Sequence, residues 1–219
     1  LIETMLNTSI TGVSLNWEYL SALDWVVAAN TYSYQELSPI KAIGKLLENS
    51  AAFMYSELDG TQLSVKRKRG SEFWEPAVGL IPLEPHFITA LGFSRENHRK
   101  FDAVYVVSGL NQTAGITAHV VRDAYAGTEL APQILAPTLT SPAAIRDAGK
   151  YRLGTAGVVE TRSLSQPIIE GFPLLIPADT VSFKAEGNTY IGTVISTSVS
   201  LKFNSQYQNF VVEVVKGFS

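Results

Sequence analysis

His86, His98 and His119 are the only imidazoles in the chain. A zinc site needs several convergent ligands. No two of these histidines stand four residues apart, and no His-Glu-x-x-His pattern occurs. They read as surface or packing residues. There is no cysteine, which excludes thiolate metal sites, disulfides and cysteine catalysis. Ser108 stands before Gly109, but Gly-x-Ser-x-Gly is absent. A nucleophile needs a base beside it and a group to orient that base, and the flanking strand-and-loop pattern supplies neither. Carboxylates are scattered, and a glycosidase pair would meet only in the fold. No pair stands out. The sequence therefore assigns no catalytic, cofactor-binding or metal-ligating residue, and the expectation is a protein that is not an enzyme and takes no cofactor.

Other clusters remain to be placed. Lys66-Arg67-Lys68-Arg69 is the sharpest run of charge. A nucleic-acid patch would add interleaved aromatics and further basic segments. On a strand, adjacent charges point to opposite faces, so the run reads as a solvated strand end that discourages edge pairing. A contact with an acidic partner subunit is the alternative. Gly149, Gly154 and Gly157 follow a helix start, whereas a dinucleotide fingerprint follows a strand and opens a helix, so they carry no phosphate-binding role. Trp17, Trp25 and Trp74, with Tyr32 and Tyr34, are able either to line a sugar-binding face or to anchor cores and subunit interfaces. The second reading is preferred. Glu96-Asn97-His98-Arg99 reads as a solvated loop or strand edge.

Composition narrows the classes further. The 219 residues suffice for one large or two smaller domains with a real core. An apolar fraction of 46% argues for a globular chain. A formal net charge of −3 argues against a dedicated nucleic-acid binder. No apolar run reaches membrane-span length. The chain opens Leu1-Ile2-Glu3-Thr4, without a methionine or a signal-peptide pattern, as expected of a piece of a longer polypeptide or of a cleavage product.

The elements that position these residues follow from a pattern met twice, a Ser-Pro pair opening a short helix. Ser38 can cap, and Pro39 fills the first helical position, where a missing N–H costs nothing. Ile40, Ile43, Leu46 and Leu47 then give an apolar face, and the helix fades near Asn49-Ser50. Ser9–Glu18 has strand character, and Leu20–Asn30 is apolar and ambiguous. Asp59-Gly60 between alternating runs signals a hairpin. Residues 1–72 thus form a small strand–helix–hairpin domain. Residues 73–99, with Pro76, Pro82 and Pro85, are read as a linker and first barrel elements. Ala103–Gly109 and Ile116–Val121 are strands, and Ala131–Pro142 is a loop. A second helix, from Ser141-Pro142 to Leu153, lies within an insertion near 141–154. Leu174–Ile176 and Thr180–Ala185 are short strands, and Gly187-Asn188 makes a turn. Ile191, Ile195, Val199, Leu201 and Phe203 alternate with polar residues, so 189–203 is expected to bury its odd-numbered side chains. Phe210–Val215 closes the fold. The expected class is α+β, a strand–helix–hairpin unit followed by an antiparallel β-barrel-like domain over 100–219 with an inserted helix.

This order of elements resembles the baseplate hub proteins of contractile-tailed bacteriophages, which are related to the base of the type VI secretion spike. Ser38–Ile43 followed by Asp59–Leu63 resembles the hub's small helix–hairpin domain. Tyr105–Gly109 resembles the strand that re-enters a barrel after it, Ala143–Leu153 the helix before the closing strands, and Pro177–Phe183 with Tyr190–Ser198 those closing strands. The family generally carries a further N-terminal barrel, which is missing or truncated here. The resemblance implies a structural component of a phage or prophage tail baseplate hub. It implies a homotrimer within a ring that links tail tube to spike, with tube, spike and baseplate proteins as partners. It implies a place in the virion after assembly in the host cytoplasm, with no nucleic-acid sequence recognition. The alternatives from other classes are a carbohydrate-binding tail module and a tail-associated cell-wall hydrolase.

Overall fold

The structure is a computed structural model that describes residues 14–17, 25–27, 31–57, 60–108, 115–203 and 205–217. In chain order the first elements are β1 (Ser14–Trp17), α1 (Pro39–Glu48), β2 (Ala52–Ser56), β3 (Gln62–Arg67), β4 (Ile81–Pro82) and β5 (Thr89–Asn97). There follow β6 (Ala103–Val107), β7 (Thr117–Val121), β8 (Ile134–Leu135) and α2 (Pro142–Gly154). The chain closes with β9 (Val158–Pro167), β10 (Thr180–Ala185), β11 (Asn188–Lys202) and β12 (Ser205–Gly217). The class is α+β.

Ser38 starts α1 as its type dictates: its hydroxyl accepts from the Lys41 amide at 3.4 Å, with Pro39 in the first turn. The apolar stripe buries Ala42, Ile43, Leu46 and Leu47. Those side chains pack with Ala52 and Val65, and Leu15, Trp17, Trp25, Tyr32 and Met54 close around them. β2 and β3 form an antiparallel hairpin, and β1 lies parallel to β3. Gly60 takes a left-handed φ of 70° at the hairpin turn, where a side chain would be strained. Ser9–Val13, Glu18, Asp59 and Gly109 lie outside the described residues, as does most of Leu20–Asn30.

The chain divides into two compact units, each discontinuous. The first is Leu1–Arg67 with Asp102–Leu153, and the second is Lys68–Phe101 with Gly154–Ser219. This differs from the serial partition 1–72, 73–99 and 100–219. β6 pairs with β7 on one side and β8 on the other in a three-stranded sheet, and among the described residues neither β6 nor β7 pairs with a strand of residues 160–217 as the expected barrel would require. Helix α2 belongs to the same unit, its Gly149 set so close to β7 that a Cβ would lie 2.6 Å from Val120 Cγ2. Periodicity specifies that a strand is half-buried, not which strand it pairs with.

The second unit holds a six-stranded sheet in the order β4-β10-β11-β12-β9-β5. Its edges are β4 and β5, and among the described residues these do not pair with each other, so the sheet is open. Both edges come from residues 73–99, the segment read as a linker and first barrel elements. Its core is Leu164, Leu175, Val181, Phe183, Tyr190, Val194, Phe210, Val212 and Val214, with Leu83. β10 and β11 are joined by Glu186-Gly187, both at positive φ, which is the two-residue turn that fits strand twist.

The alternation of β11 is interrupted. Val194 faces Val212 and Ser196 faces Val211, so Ile195 is bulged out of the ladder. Up to the bulge the even-numbered Tyr190, Gly192 and Val194 are buried. Ile191 and Ile195 are exposed, and so are Val199, Leu201 and Phe203 farther along. The expected burial of the odd-numbered set is therefore wrong. One extra residue inverts the facing of everything beyond it, and the distal half of the strand extends past the core.

Candidate functional site

The described residues group no three His, Asp or Glu side chains for a metal ion. His86, His98 and His119 are exposed and apart in sequence: His98 lies 3.3 Å from Glu96, and His119 stacks on Tyr105. The Ser108 hydroxyl accepts from the Ile116 amide at 2.8 Å and so ties the end of β6 to the residue before β7. Trp17 and Trp25 pack against the core of the first unit, and Trp74 meets Phe73 edge to face. Trp17 and Trp25 are thus used in packing the first unit, while Trp74 is half-buried beside an exposed Phe73.

The basic run is used residue by residue. Lys66 lies over the Tyr55 ring, and Arg67 pairs with Asp147 at 2.8 Å. Beyond the crossing between units, Arg69 is buried, contrary to the solvated strand end read from sequence. It donates to Glu72 at 3.0 Å and also pairs with Glu213. The Glu72 amide in turn donates to Glu75 at 3.1 Å. These residues line a cleft of about 230 Å³ with Thr180, Ile191 and Thr193. Burial pushes the Glu72 carboxyl up to about 7, with the Arg69 guanidinium pulling the other way and Glu75 and Glu213 adding to the rise. Burial alone would lower Arg69, but the two carboxylates outweigh it and hold its pKa above the ordinary value. One guanidinium between two carboxylates is a fixed internal tie, joining residue 69 to a strand at the end of the chain.

A second buried charge sits on the core side of the same sheet. Arg162 lies 4.1 Å from the Tyr190 ring centroid and 4.9 Å from that of Phe93, with Glu160 at 3.5 Å. A guanidinium between two ring faces is a stable way to bury charge. It fixes β5 against β9 and β11.

What the surface offers is apolar strand. Leu91 and Phe93 on β5 and Val199, Leu201, Phe203 and Tyr207 on the distal hairpin are all exposed. Phe203 and Tyr207, with Pro167, Ile168 and Ile169, line a shallow groove at its tip. Sequence reasoning found Val199, Leu201 and Phe203 but assigned them to the core, and it did not single out Leu91, Phe93 or Tyr207. Among the described residues no helix is long and apolar enough to cross a membrane.

This arrangement of sheets and helices occurs in solved structures. The tail protein from Neisseria meningitidis MC58 matches with a TM-score of 0.57 at 13% identity, covering 97% of this chain and 65% of that one. The chain shares the fold of phage tail proteins. The 43 kDa tail protein of prophage MuSo2 from Shewanella oneidensis gives 0.53 at 12% identity, covering 96% of this chain and 65% of its own. A chain of the virion of a native gene transfer agent particle gives 0.53 at 14%, covering 98% and 46%. This chain therefore spans less than two thirds of each of these proteins. No protein-family model and no curated protein sequence matches it.

Proposed function

We propose that this chain is a structural component of a phage or prophage tail, placed in the baseplate hub, where copies form a ring between tail tube and spike. The observation that carries this reading is the tail-protein fold over nearly the whole chain. Exposed apolar strands support it, because permanent assemblies need such surface and small monomers do not keep it. The work is geometric: cyclic symmetry repeats one contact around a channel. The assembly is a homotrimer whose further partners are tube, spike and baseplate proteins, and its place is the virion. Sedimentation equilibrium and native mass spectrometry test this. A discrete trimer with a central channel in electron micrographs is expected, and a strict monomer at high concentration overturns the ring.

A further inference from the structure

The β11–β12 hairpin is longer than the sheet around it. β10 covers β11 only from Asn188 to Thr193. Ile195–Lys202 then has β12 on one side and, among the described residues, no strand on the other. At the far side of the sheet, β5 has β9 on one side only, and all of its residues are exposed. Monomeric proteins shorten, charge or cover such edges, because a row of unpaired N–H and C=O groups templates another strand. Neither edge is short, and both carry exposed apolar side chains: Leu91 is 58%, Phe93 56%, Val199 54% and Leu201 70% accessible.

We propose that the two edges are halves of one contact, with β5 of one copy adding to the distal half of β11 of a second copy. The inference rests on the tail-assembly reading and names its interface. β5 is antiparallel to β9, β9 to β12 and β12 to β11, so β5 and β11 run in opposite directions. A copy related by rotation about an axis along the strands presents β5 antiparallel to β11. The register with Ser94 opposite Ser198 overlaps the free edges fully. It sets Phe93 opposite Val199, an apolar pair across the junction, and brings Leu91, which stands at a bulge of β5, level with Leu201. Facing agrees as well. Phe93 is on the side of Val212 and Val199 on the side of Gln208, and Val212 and Gln208 share one face of β12.

Within one copy Phe93 is level with Arg162, Val212 and Val194. The pairing therefore displaces each neighbour from the level of Val212 to that of Gln208, about four residues or ~13 Å along the strands. Such a stagger is what strands tilted around a closed ring require. The contact is heterologous, so repetition closes a ring when the rotation fits.

The absence of cysteine makes a direct test simple. Copies carrying Ser94→Cys are mixed with copies carrying Ser198→Cys and oxidised; both positions are exposed. A disulfide-linked pair is expected in the mixture and in neither variant alone. Glu96→Cys with Ser196→Cys, in the same register, should repeat it. Native mass spectrometry of the unaltered chain runs alongside. An oligomer without the mixed disulfides overturns the edge pairing and leaves the tail-assembly reading standing. A disulfide within either variant alone means that like edges meet, and overturns it too. A monomer without any disulfide overturns the pairing and the ring together.

Discussion

Gly154 lies against the carboxylate of Glu72 so closely that no Cβ fits between them. The Arg69 guanidinium occupies the same space, held between the carboxylates of Glu72 and Glu213. Gly154→Ala must push this buried tie apart, and is expected to cost about 1–3 kcal/mol, the usual range for overpacking. Gly44, inside α1, has nothing within 4 Å of a built Cβ. Gly44→Ala is expected to stabilise by about 1 kcal/mol through helix propensity. Denaturant titrations of both variants check the opposite signs. Equal effects would mean that the close approach at Gly154 carries no energy.

Glu72 makes stability pH-dependent. The unfolded chain releases its proton near 4.5, and burial moves the release in the folded chain up to about 7. Between these values the folded state binds the proton and the unfolded state does not. Stability from this group is therefore full below 4.5 and is lost as pH rises through about 7, a difference on the order of 3 kcal/mol. Glu72→Gln keeps the shape without the charge. Its thermal midpoint should vary less between about pH 5 and about pH 8 than the parent's, and should exceed it at the upper end. Parallel pH curves for parent and variant would refute the assignment.

The bulge at Ile195 gives a sharper contrast than a regular strand would. Phe210, on the buried face of β12, is 2% accessible, whereas Ile195 is 45% accessible. Phe210→Ala is expected to cost about 3–5 kcal/mol. Ile195→Ala should stay within about 0.5 kcal/mol, as surface changes do. Chemical denaturation decides. A large loss at Ile195 would restore the uninterrupted alternation that the sequence suggests.

That interruption marks where the sequence stops being legible. The helix starts at Ser38-Pro39 and Pro142 and the hairpin turn at Gly60 are local events, set by capping and backbone freedom within a few residues. The extent of β11 is also local, but its facing is not, because nothing in Ser196-Thr197-Ser198 records that an earlier residue is bulged. β5 lies in the segment 73–99 read as a linker and first barrel elements, and its extent is not legible because Thr89–Asn97 is exposed throughout, so no buried face marks it. The pairing of β6 with β7 and β8 is likewise a choice among partners that periodicity does not encode. At the charged site, Arg69 was visible as part of a basic run. Its burial depends on Glu213, 144 positions away, and no spacing rule reaches so far.

Asp102 governs the first unit in the same non-local way. It is 4% accessible, and its carboxylate accepts from the Gly127, Thr128 and Glu129 amides at 3.1, 3.3 and 2.7 Å. Gly127 stands at a left-handed φ of 74° with its would-be Cβ 3.1 Å from Val121, so the loop has little freedom to find other partners. Hydrogen bonds to a charged acceptor are worth about 1.5–3 kcal/mol, and buried donors left without one bear the desolvation cost. Asp102→Ala is therefore expected to cost about 3 kcal/mol, and Asp102→Asn somewhat less, because one oxygen still accepts. Hydrogen exchange at residues 127–129 should accelerate in both variants before the rest of the unit is affected, since the clasp opens locally. Unchanged exchange at those three amides, with the alanine variant as stable as the parent, would show that the loop is held by its backbone alone.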